Sequence, residues 1–518
     1  MPTLRRTFTA LALLVAMSIA AAQSVVGMAI QDEPASLDPL ITTQLTAYQV
    51  LNYLMEPLVY IGPDNQPHGW VAESWTIRDD GLVIDFQIRE GRTFHDGTPL
   101  DAEAVAFSIN RHLDPDANSA NRTGLGTLER VEVTGAYSVR FTYSAPYAPV
   151  WTSLASPFYG MVSPTAVATL GEDFGRAIVA SGPFSLERWT PASGFELAKV
   201  EGYTSPRIDV VNTGEMMIDG LHIRILPEEG TRVAALETGL IHYGDAPRGE
   251  IDRLEGDPRF AVVINENNNS FTMLEVNPFL PPMDDVRVRQ AVAHALDIDD
   301  IAFVSYDGFV TTNYTPVPLG NTGYREWIGE QHGYKHDLER SAELLRDAGY
   351  ERNTNGVWSK DGQPLELIFW TYTLPNGMRG GQMTQQQLLQ AGFAVDFQTF
   401  EVASMIGQLH EQRHHLNYMW WSGWDPIFLS LVFRTPGWAG GYSNPDLDAI
   451  LDRAASELDP EARQAIVEEA QIFILQDVGV IPVGTDWGVL LTRTDLEGLK
   501  LDARGFVLHT AAVFINCA

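Results

Sequence analysis

The sequence has a single cysteine, Cys517, among its 518 residues. One thiol cannot form a disulfide within the chain, and it cannot build a metal site from several thiolates. The protein must therefore draw its stability from a large hydrophobic core, for which a chain of this length has ample material. With 45% hydrophobic and 19% charged residues, the composition is that of an ordinary globular protein of two or three domains.

Basic residues are scarce. The chain has 34 lysine and arginine residues against 67 aspartate and glutamate residues, which gives a formal net charge of −33. Surfaces that bind nucleic acid or anionic membranes must neutralise phosphate, and they are basic. We therefore expect neither as a partner. A strongly acidic surface keeps a protein soluble and separate from its own copies, so we expect a monomer.

Long apolar runs are also missing, apart from a short one near the N-terminus. Arg5 and Arg6 precede the apolar run Leu11–Ile19, and small residues end in Ala22. This order is typical of a secretory signal, so residues 1–22 are predicted to be cleaved near Ala22. No cysteine follows that could accept a lipid, and a soluble protein outside the cytoplasm is expected. The paired arginines leave a twin-arginine export route open.

Most catalytic motifs are absent as well. The chain has no G-x-S-x-G elbow and no P-loop. The one match is H-E-x-x-H at His410–His414, which on a helix lets two histidines share a zinc ion. Asn417 and Trp420 stand where a metzincin requires glycine and histidine, and no glutamate follows before Glu457. We expect no enzymatic activity, no metal and no cofactor, with a secreted zinc hydrolase as the alternative.

Aromatic residues are concentrated in Leu416–Pro426. Alternate side chains of a strand point to opposite faces, so Trp420 and Trp421 are expected on opposite sides. Trp424 and Asp425 should follow in a loop, after Ser-Gly has ended the strand. Three indoles beside a carboxylate could form a wall that holds a small polar molecule. The alternative is that these tryptophans only fill a core.

Helix and strand signals alternate along the chain. An aspartate or asparagine that can cap a helix stands before several segments of helical apolar spacing. These residues are Asp101, Asp285, Asp337, Asn444 and Asp459. Apolar runs such as Leu365–Trp370 and Val478–Val483 are typical of buried strands. The alternation predicts an α/β protein with mixed sheets that are covered on both faces.

Several segments of the chain form a pattern in a fixed order. They are Val71–Trp75, Phe94–Pro99, Ala102–Val105, Ser108–Arg111, Ser181–Phe184, Pro227–Leu236, Pro282–Ala291, Tyr442–Pro445 and Val480–Pro482. This series closely resembles the signature of the family 5 extracellular solute-binding proteins. Those proteins are the dipeptide, oligopeptide, nickel, opine and oligosaccharide receptors of bacterial ABC importers. The resemblance covers essentially the whole mature chain.

The resemblance implies a two-lobed α/β periplasmic-binding-protein fold, type II and cluster C-like, with an extra subdomain inserted in lobe I. Lobe I would comprise residues 23–52, 180–264 and 479–518. The inserted subdomain would comprise residues 53–179, and lobe II residues 265–478. Two crossing strands would join the lobes, and the ligand would lie between them.

The resemblance also indicates ligand contacts. Asp425 lies in the region where peptide-binding relatives place the acid that meets the peptide ammonium, and Arg379 lies close to the arginine that clamps the carboxylate. Asp425 could instead cap a helix or a turn, and Arg379 could be a solvated residue at a helix start. Tyr48 and Asn52 correspond to an early ligand-facing segment.

The implied function is that of a periplasmic receptor that captures short peptides and delivers them to an inner-membrane ABC permease. An oligosaccharide or an opine-like conjugate is the alternative ligand, because indole faces also stack on sugar rings and conjugated amines. A nickel receptor would need residues that touch a chelated metal, for which His414 and His415 are the candidates.

Overall fold

The structure is a computed structural model of the chain. It describes residues 24–64, 66–210, 212–266, 270–438, 441–501, 507–508 and 513–514. The predicted signal peptide and Cys517 lie outside the described residues. No helix within these ranges combines the length and the apolar character needed to cross a bilayer.

Fifteen helices are numbered here in chain order within the described ranges. They are α1 (Leu45–Leu54), α2 (Ala102–Leu113), α3 (Val150–Leu154), α4 (Pro164–Leu170), α5 (Glu229–Glu237), α6 (Arg248–Leu254), α7 (Val286–Ala295), α8 (Ile298–Ser305), α9 (Glu326–His332), α10 (Leu338–Asp347), α11 (Pro375–Gln390), α12 (Val402–Leu409), α13 (Phe428–Phe433), α14 (Pro445–Ser456) and α15 (Pro460–Asp477).

The strands are numbered in the same way. They are β1 (Val25–Ile30), β2 (Val59–Ile61), β3 (Pro67–Gly69), β4 (Ala72–Arg78), β5 (Val83–Ile88), β6 (Leu128–Gly135), β7 (Ser138–Tyr143), β8 (Phe184–Thr190), β9 (Gly194–Lys199), β10 (Gly220–Ile225), β11 (Tyr243–Gly244), β12 (Phe260–Asn265), β13 (Ser270–Val276), β14 (Val310–Thr312), β15 (Glu351–Arg352), β16 (Trp358–Lys360), β17 (Gln363–Pro364), β18 (Glu366–Tyr372), β19 (Ala394–Phe400), β20 (Leu416–Ser422), β21 (Val480–Asp486), β22 (Gly488–Arg493), β23 (Leu496–Glu497), β24 (Lys500–Leu501), β25 (Val507–Leu508) and β26 (Val513–Phe514).

The first lobe contains two sheets of three or more strands and the helices α1, α5 and α6. Its larger sheet has the order β1-β10-β9-β8, in which β1 and β10 are parallel and the other neighbours antiparallel. Its smaller sheet has the order β11-β22-β12. Helix α1 packs on the larger sheet because Leu51 and Leu54, almost one turn apart, are both fully buried in the core that contains Val26 and Leu221.

The second lobe is built on a mixed six-stranded sheet, in the order β14-β21-β13-β20-β18-β19. The strands β18, β19 and β20 are parallel to one another, and the other pairs are antiparallel. Alternate residues of β13 enter different cores, with Leu274 in one and Phe271 and Met273 in the other. The sheet is therefore covered on both faces, which confirms the expected mixed architecture.

A third subdomain has its own sheet, β4-β5-β7-β6, and its own hydrophobic core. It also contains α2, α3 and the hairpin β2–β3. The chain enters it after α1 of the first lobe and returns to the first lobe at β8. The turn at Asp80-Gly81 joins β4 and β5, with positive φ angles of 52° and 92° at these residues.

The chain passes between the two lobes at two places. β12 of the first lobe leads to β13 of the second, and β21 of the second leads to β22 of the first. The predicted boundary between residues 478 and 479 is therefore too early, because all of β21 lies in the sheet of the second lobe. A buried apolar strand such as Val480–Asp486 carries no signal for which of two mixed sheets it joins.

The predicted helix caps are confirmed. In each case the side chain accepts a hydrogen bond from a backbone N–H in the first turn, which satisfies one of the free donors there. The caps are Asp101 to Ala104, Asp285 to Arg287, Asp337 to Arg340, Asn444 to Asp446 and Asp459 to Ala462, at 2.8–3.1 Å.

The side chain of Glu56 connects the third subdomain to the first lobe, and its replacement tests this connection. Its fully buried carboxylate pairs with Arg92 and accepts hydrogen bonds from Trp70 Nε1 at 3.0 Å and Tyr203 Oη at 2.8 Å. Replacement of Glu56 by alanine leaves the guanidinium buried without its partner, which costs about 3–5 kcal/mol. We expect this loss in urea unfolding followed by circular dichroism. Replacement of the exposed Glu132 by alanine is the control, and an equal loss there would contradict the assignment.

Candidate functional site

A concavity of the first lobe lies where β1 and β11 end. It has a volume of about 550 Å³, and we call it the cleft pocket. Gln31 and Asp32 directly follow β1, Asp245 directly follows β11, and all three line the pocket. Ligands of open α/β sheets bind at the carboxyl ends of strands, and sites of about 300–1,000 Å³ suit small molecules.

Helix α1 forms another wall of the cleft pocket through Leu45, Gln49 and Tyr53. These residues are spaced by four positions and therefore share one face of the helix. The predicted contacts Tyr48 and Asn52 also share a face of α1. That face is rotated by about 100° from the pocket-lining face, because the two are offset by one residue, and neither residue lines this pocket. Both are buried, and the Tyr48 ring meets Phe158 edge to face at 5.3 Å.

The pocket-lining face of α1 was not predicted, although the sequence contains a weak signal for it. Leu45 is 67% exposed, although it belongs to a helix whose other leucines are buried. An exposed leucine and a glutamine one turn later form a mixed face, which is what a pocket wall requires. The apolar spacing of Leu51 and Leu54 was the stronger signal, and it reports only the core-facing side.

The charges around the cleft pocket are mostly acidic. Asp32 is exposed and makes no ion pair with any residue that the structure describes. Asp245 pairs at 2.8 Å with Arg232, whose own side chain is buried and also donates to the carbonyls of Leu226 and Pro227. The pocket can therefore offer carboxylates and glutamine amides to a ligand.

The three tryptophans of the aromatic stretch do not form one wall. Trp420 is half-buried on the face of β20 where its ring meets Tyr372 edge to face at 4.7 Å. Trp421 lies on the opposite face, as the alternation predicted. Its Nε1 donates to Glu275 at 2.8 Å, and its ring meets Trp438 at 5.3 Å. For Trp421 the geometry favours the packing alternative.

Glu275 explains why Trp421 is held in place. Its carboxyl group, on β13, accepts hydrogen bonds from Trp421 Nε1 and from Asn417 Nδ2 at 2.7 Å. Burial raises the pKa of Glu275, because removal from water penalises the charged form more than these two donors favour it.

Trp424 lines a separate gap between the third subdomain and the second lobe. This gap has a volume of about 520 Å³, and we call it the side pocket. Trp75 and Trp151 of the third subdomain line it as well, with their rings 4.9 Å apart. The predicted indole wall is therefore distributed over three environments, of which the side pocket lies between two bodies of the protein.

Asp425 is buried in an ion pair. Its two oxygens accept hydrogen bonds from Arg463 at 2.6 and 2.8 Å, in the bidentate arrangement. One oxygen also accepts from the Ile427 N–H at 2.8 Å, and the other from Thr152 Oγ1 at 3.4 Å. The geometry favours the alternative of a turn residue over that of a free acceptor for a peptide ammonium.

Arg379 is committed to the end of a helix. Its guanidinium donates to the carbonyls of Val304 at 3.0 Å and Ser305 at 2.7 Å, at the C-terminus of α8, and it pairs with Asp307 at 3.0 Å. A cation at this position satisfies free carbonyls and the negative end of the helix dipole. The side chain remains 39% exposed, but it already has one carboxylate partner.

The H-E-x-x-H segment does not have the geometry of a zinc site. Helix α12 ends at Leu409, and Gln412 has a positive φ of 51°, so His410 and His414 are not on one helical face. His414 is buried and packs on Trp370 at 4.7 Å. His415 Nδ1 accepts from the Ile368 N–H at 2.8 Å.

No group of three or more potential metal ligands among histidine, cysteine and acidic side chains occurs in the part of the chain that the structure describes. Of the adjacent histidines, His414 packs on Trp370, and His415 accepts a backbone hydrogen bond. The zinc hydrolase alternative loses its only support in the sequence, because its motif needs a continuous helix.

Known proteins resemble this chain along most of its length. Residues 66–441 match the family described as "Bacterial extracellular solute-binding proteins, family 5 Middle". The "Glutathione-binding protein GsiB" of Pectobacterium atrosepticum is 26% identical over 479 residues, which is 89% of each chain. This chain is thus similar to solute-binding proteins rather than to enzymes.

Solved structures agree on the fold. NikA from Brucella suis in complex with Fe(III)-EDTA has a TM-score of 0.83 and 22% identity, and the match covers 95% of this chain and 99% of that chain. The periplasmic binding protein DppA from Helicobacter pylori, in complex with the peptide STSA, has a TM-score of 0.75 and 24% identity, with 95% and 99% covered. The two-lobed α/β fold expected from the sequence is confirmed.

The ion pair of Asp425 gives a prediction about stability. Asp425→Asn leaves Arg463 buried without a counter-charge, so the free energy of unfolding should fall by about 3–5 kcal/mol. Asp425→Asn combined with Arg463→Gln should recover part of this loss in urea unfolding. The control is Asp452→Asn, in an exposed pair with Arg434. Unchanged stability together with weaker peptide binding would instead make Asp425 a ligand contact.

His414 gives a prediction about acid. Burial lowers the pKa of His414 to about 4, from about 6.5 in an unfolded chain. Between these two pKa values the unfolded state binds a proton at His414 and the folded state does not. The free energy of unfolding therefore falls as the pH drops from about 6.5 towards 4. At pH 5 the loss from this residue should be about 2 kcal/mol.

This effect can be measured by urea unfolding at pH 7.5 and pH 5. His414→Phe keeps a ring against Trp370 and should reduce the difference between the two pH values. His410→Gln, at an exposed position, is the control and should leave it unchanged. An undiminished pH dependence in His414→Phe would assign the effect to other groups.

Proposed function

Because this chain belongs to family 5 of the bacterial extracellular solute-binding proteins, we propose that it captures short peptides and delivers them to an inner-membrane ABC importer. The observation that carries the proposal is the cleft pocket at the strand ends of the first lobe. Its glutamines can hydrogen-bond the peptide backbone, and its carboxylates can meet the ammonium end. Relatives of this chain bind glutathione and a peptide, as their names state.

Capture would follow from closure of the two lobes over the cleft pocket. The lobes are joined by the crossings from β12 to β13 and from β21 to β22, which are few enough to act as a hinge. A solute that contacts both lobes binds the closed state better than the open one and shifts the population towards it. The half-buried ring of Trp420 is the contact that we assign to the second lobe.

The proposal includes location and partners. Residues 1–22 are assigned as a signal peptide that is removed near Ala22, and the mature protein would act in the periplasm as a monomer. Its partners would be the solute and the inner-membrane ABC permease, without nucleic acid. The solute would leave the protein unchanged, since the one segment that resembles an enzyme motif, His410–His414, lacks the geometry of a metal site.

A thermal-shift screen tests the ligand class. Di- to pentapeptides, neutral oligosaccharides and opines are each added to the purified mature chain. A ligand at about 100 times its dissociation constant adds roughly 2.7 kcal/mol to the stability of the folded state. We expect this increase with peptides, and mass spectrometry should recover them intact. Hydrolysed peptides would support the enzyme alternative, and a response to sugars or opines alone would contradict the peptide assignment.

The cleft pocket itself is tested by Gln49→Ala. This change removes one amide from the pocket wall and should weaken peptide binding several-fold, because a net hydrogen bond contributes about 1 kcal/mol. The matched control is Gln66→Ala, in the side pocket. If both variants bind peptides like the unchanged protein, the peptide does not lie in the cleft pocket.

A further inference from the structure

The side pocket has the chemistry of a binding site and lies apart from the cleft pocket. The residues that line the two pockets have no member in common. Its walls come from two bodies, with Trp75 and Trp151 from the third subdomain and Trp424 from the second lobe. Its volume of about 520 Å³ is in the range of small-molecule sites.

The indoles of the side pocket are not fully used by packing. Trp75, Trp151 and Trp424 are all half-buried, so each still presents part of its surface to the gap. Aromatic rings that line a cavity offer flat apolar faces, and polar groups beside them fix the orientation of a ligand. The amide side chains of Gln66 and Gln464 line the same pocket and supply such groups.

The ionic groups of the side pocket already have partners within the protein. Asp425 and Arg463 pair with each other, Arg325 pairs with Glu468 at 3.3 Å, and Asp64 hydrogen-bonds His68. Glu457, which also lines the pocket, accepts a hydrogen bond from the Asp459 N–H at 2.9 Å. A charged ligand would have to compete with these contacts before it gained a counter-charge. Indole faces, neutral amides and ionic groups that already have partners together suit a neutral ligand that has a ring.

We propose that the side pocket is a second solute site, which takes a neutral oligosaccharide against the faces of Trp75, Trp151 and Trp424. The site is complete only when the third subdomain and the second lobe are together. That arrangement is held by hydrogen bonds from the Ala148 N–H to the Ala455 carbonyl at 2.9 Å and from Thr152 Oγ1 to Asp425. An occupant that touches both walls stabilises the same arrangement.

The site is tested with maltotriose, cellobiose and diacetylchitobiose on the mature chain, by tryptophan fluorescence and thermal shift. At least one of them should bind, and Trp151→Ala should weaken its binding roughly 2- to 10-fold, because one stacked indole contributes on this scale. Trp420→Ala is the matched control and should leave sugar binding unchanged. Absence of any sugar binding, or an equal loss in the control, would overturn the proposal.

Because Trp151 also packs on Phe86, Gln66→Ala serves as a second variant at an exposed position. It should weaken sugar binding without a change in melting temperature of the free protein. Unchanged sugar binding in both Gln66→Ala and Trp151→Ala would place the sugar elsewhere and overturn the proposal.

Competition separates this site from the cleft pocket. Trialanine and the sugar should raise the melting temperature additively when they are added together, since they occupy different pockets. Displacement of one by the other would show a common site and overturn the proposal. A chain that binds the sugar but no peptide would contradict the proposed peptide receptor and leave the second site standing.

Discussion

The structure depends on one constraint of the backbone, which is that the chain can change sheets only where its strands end. The two crossings lie side by side, because β12 pairs with β22 in the first lobe and β13 pairs with β21 in the second. A change of torsion angles at these two places moves one hydrophobic core relative to the other without breaking either. Separate cores and a narrow connection both follow from this arrangement.

Charge is used in this protein mainly to hold elements together. Arg379 completes the end of α8, Arg463 encloses Asp425, and Glu56 joins the third subdomain to the first lobe. A buried charge without a partner costs several kcal/mol, so a guanidinium that has found its acceptors is poorly placed to leave them for a solute. Side chains such as those of Gln31 and Asp32 at the strand ends are open to water and available to a solute.

The fold could be predicted from the sequence further than the site could. Caps such as Asp285 and Asp459 act locally, so a few neighbouring residues determine them, and the hairpin at Asp80-Gly81 is equally local. The boundary near residue 478 could not be placed, because strand pairing is a long-range property that apolar composition does not encode.

The site was harder to predict because side chains were inferred one at a time. Trp420 and Trp421 were expected on opposite faces, which is correct, but the partner of each is far away in the chain. Glu275 is the acceptor for Trp421, 146 positions earlier. Arg463, the ion-pair partner of Asp425, lies on a helix whose sequence gives no signal of this pairing. Sequence spacing predicts the direction of a side chain, but only the tertiary structure identifies the residue that it contacts.

The contact between Ala148 and Ala455 has a consequence for the protein without solute. It is a backbone hydrogen bond between the third subdomain and the second lobe, and its two residues lie outside the lining of the cleft pocket. The third subdomain and the second lobe are therefore held together by a contact that a solute in the cleft pocket does not touch. A solute there would add its own contacts to this one rather than replace it.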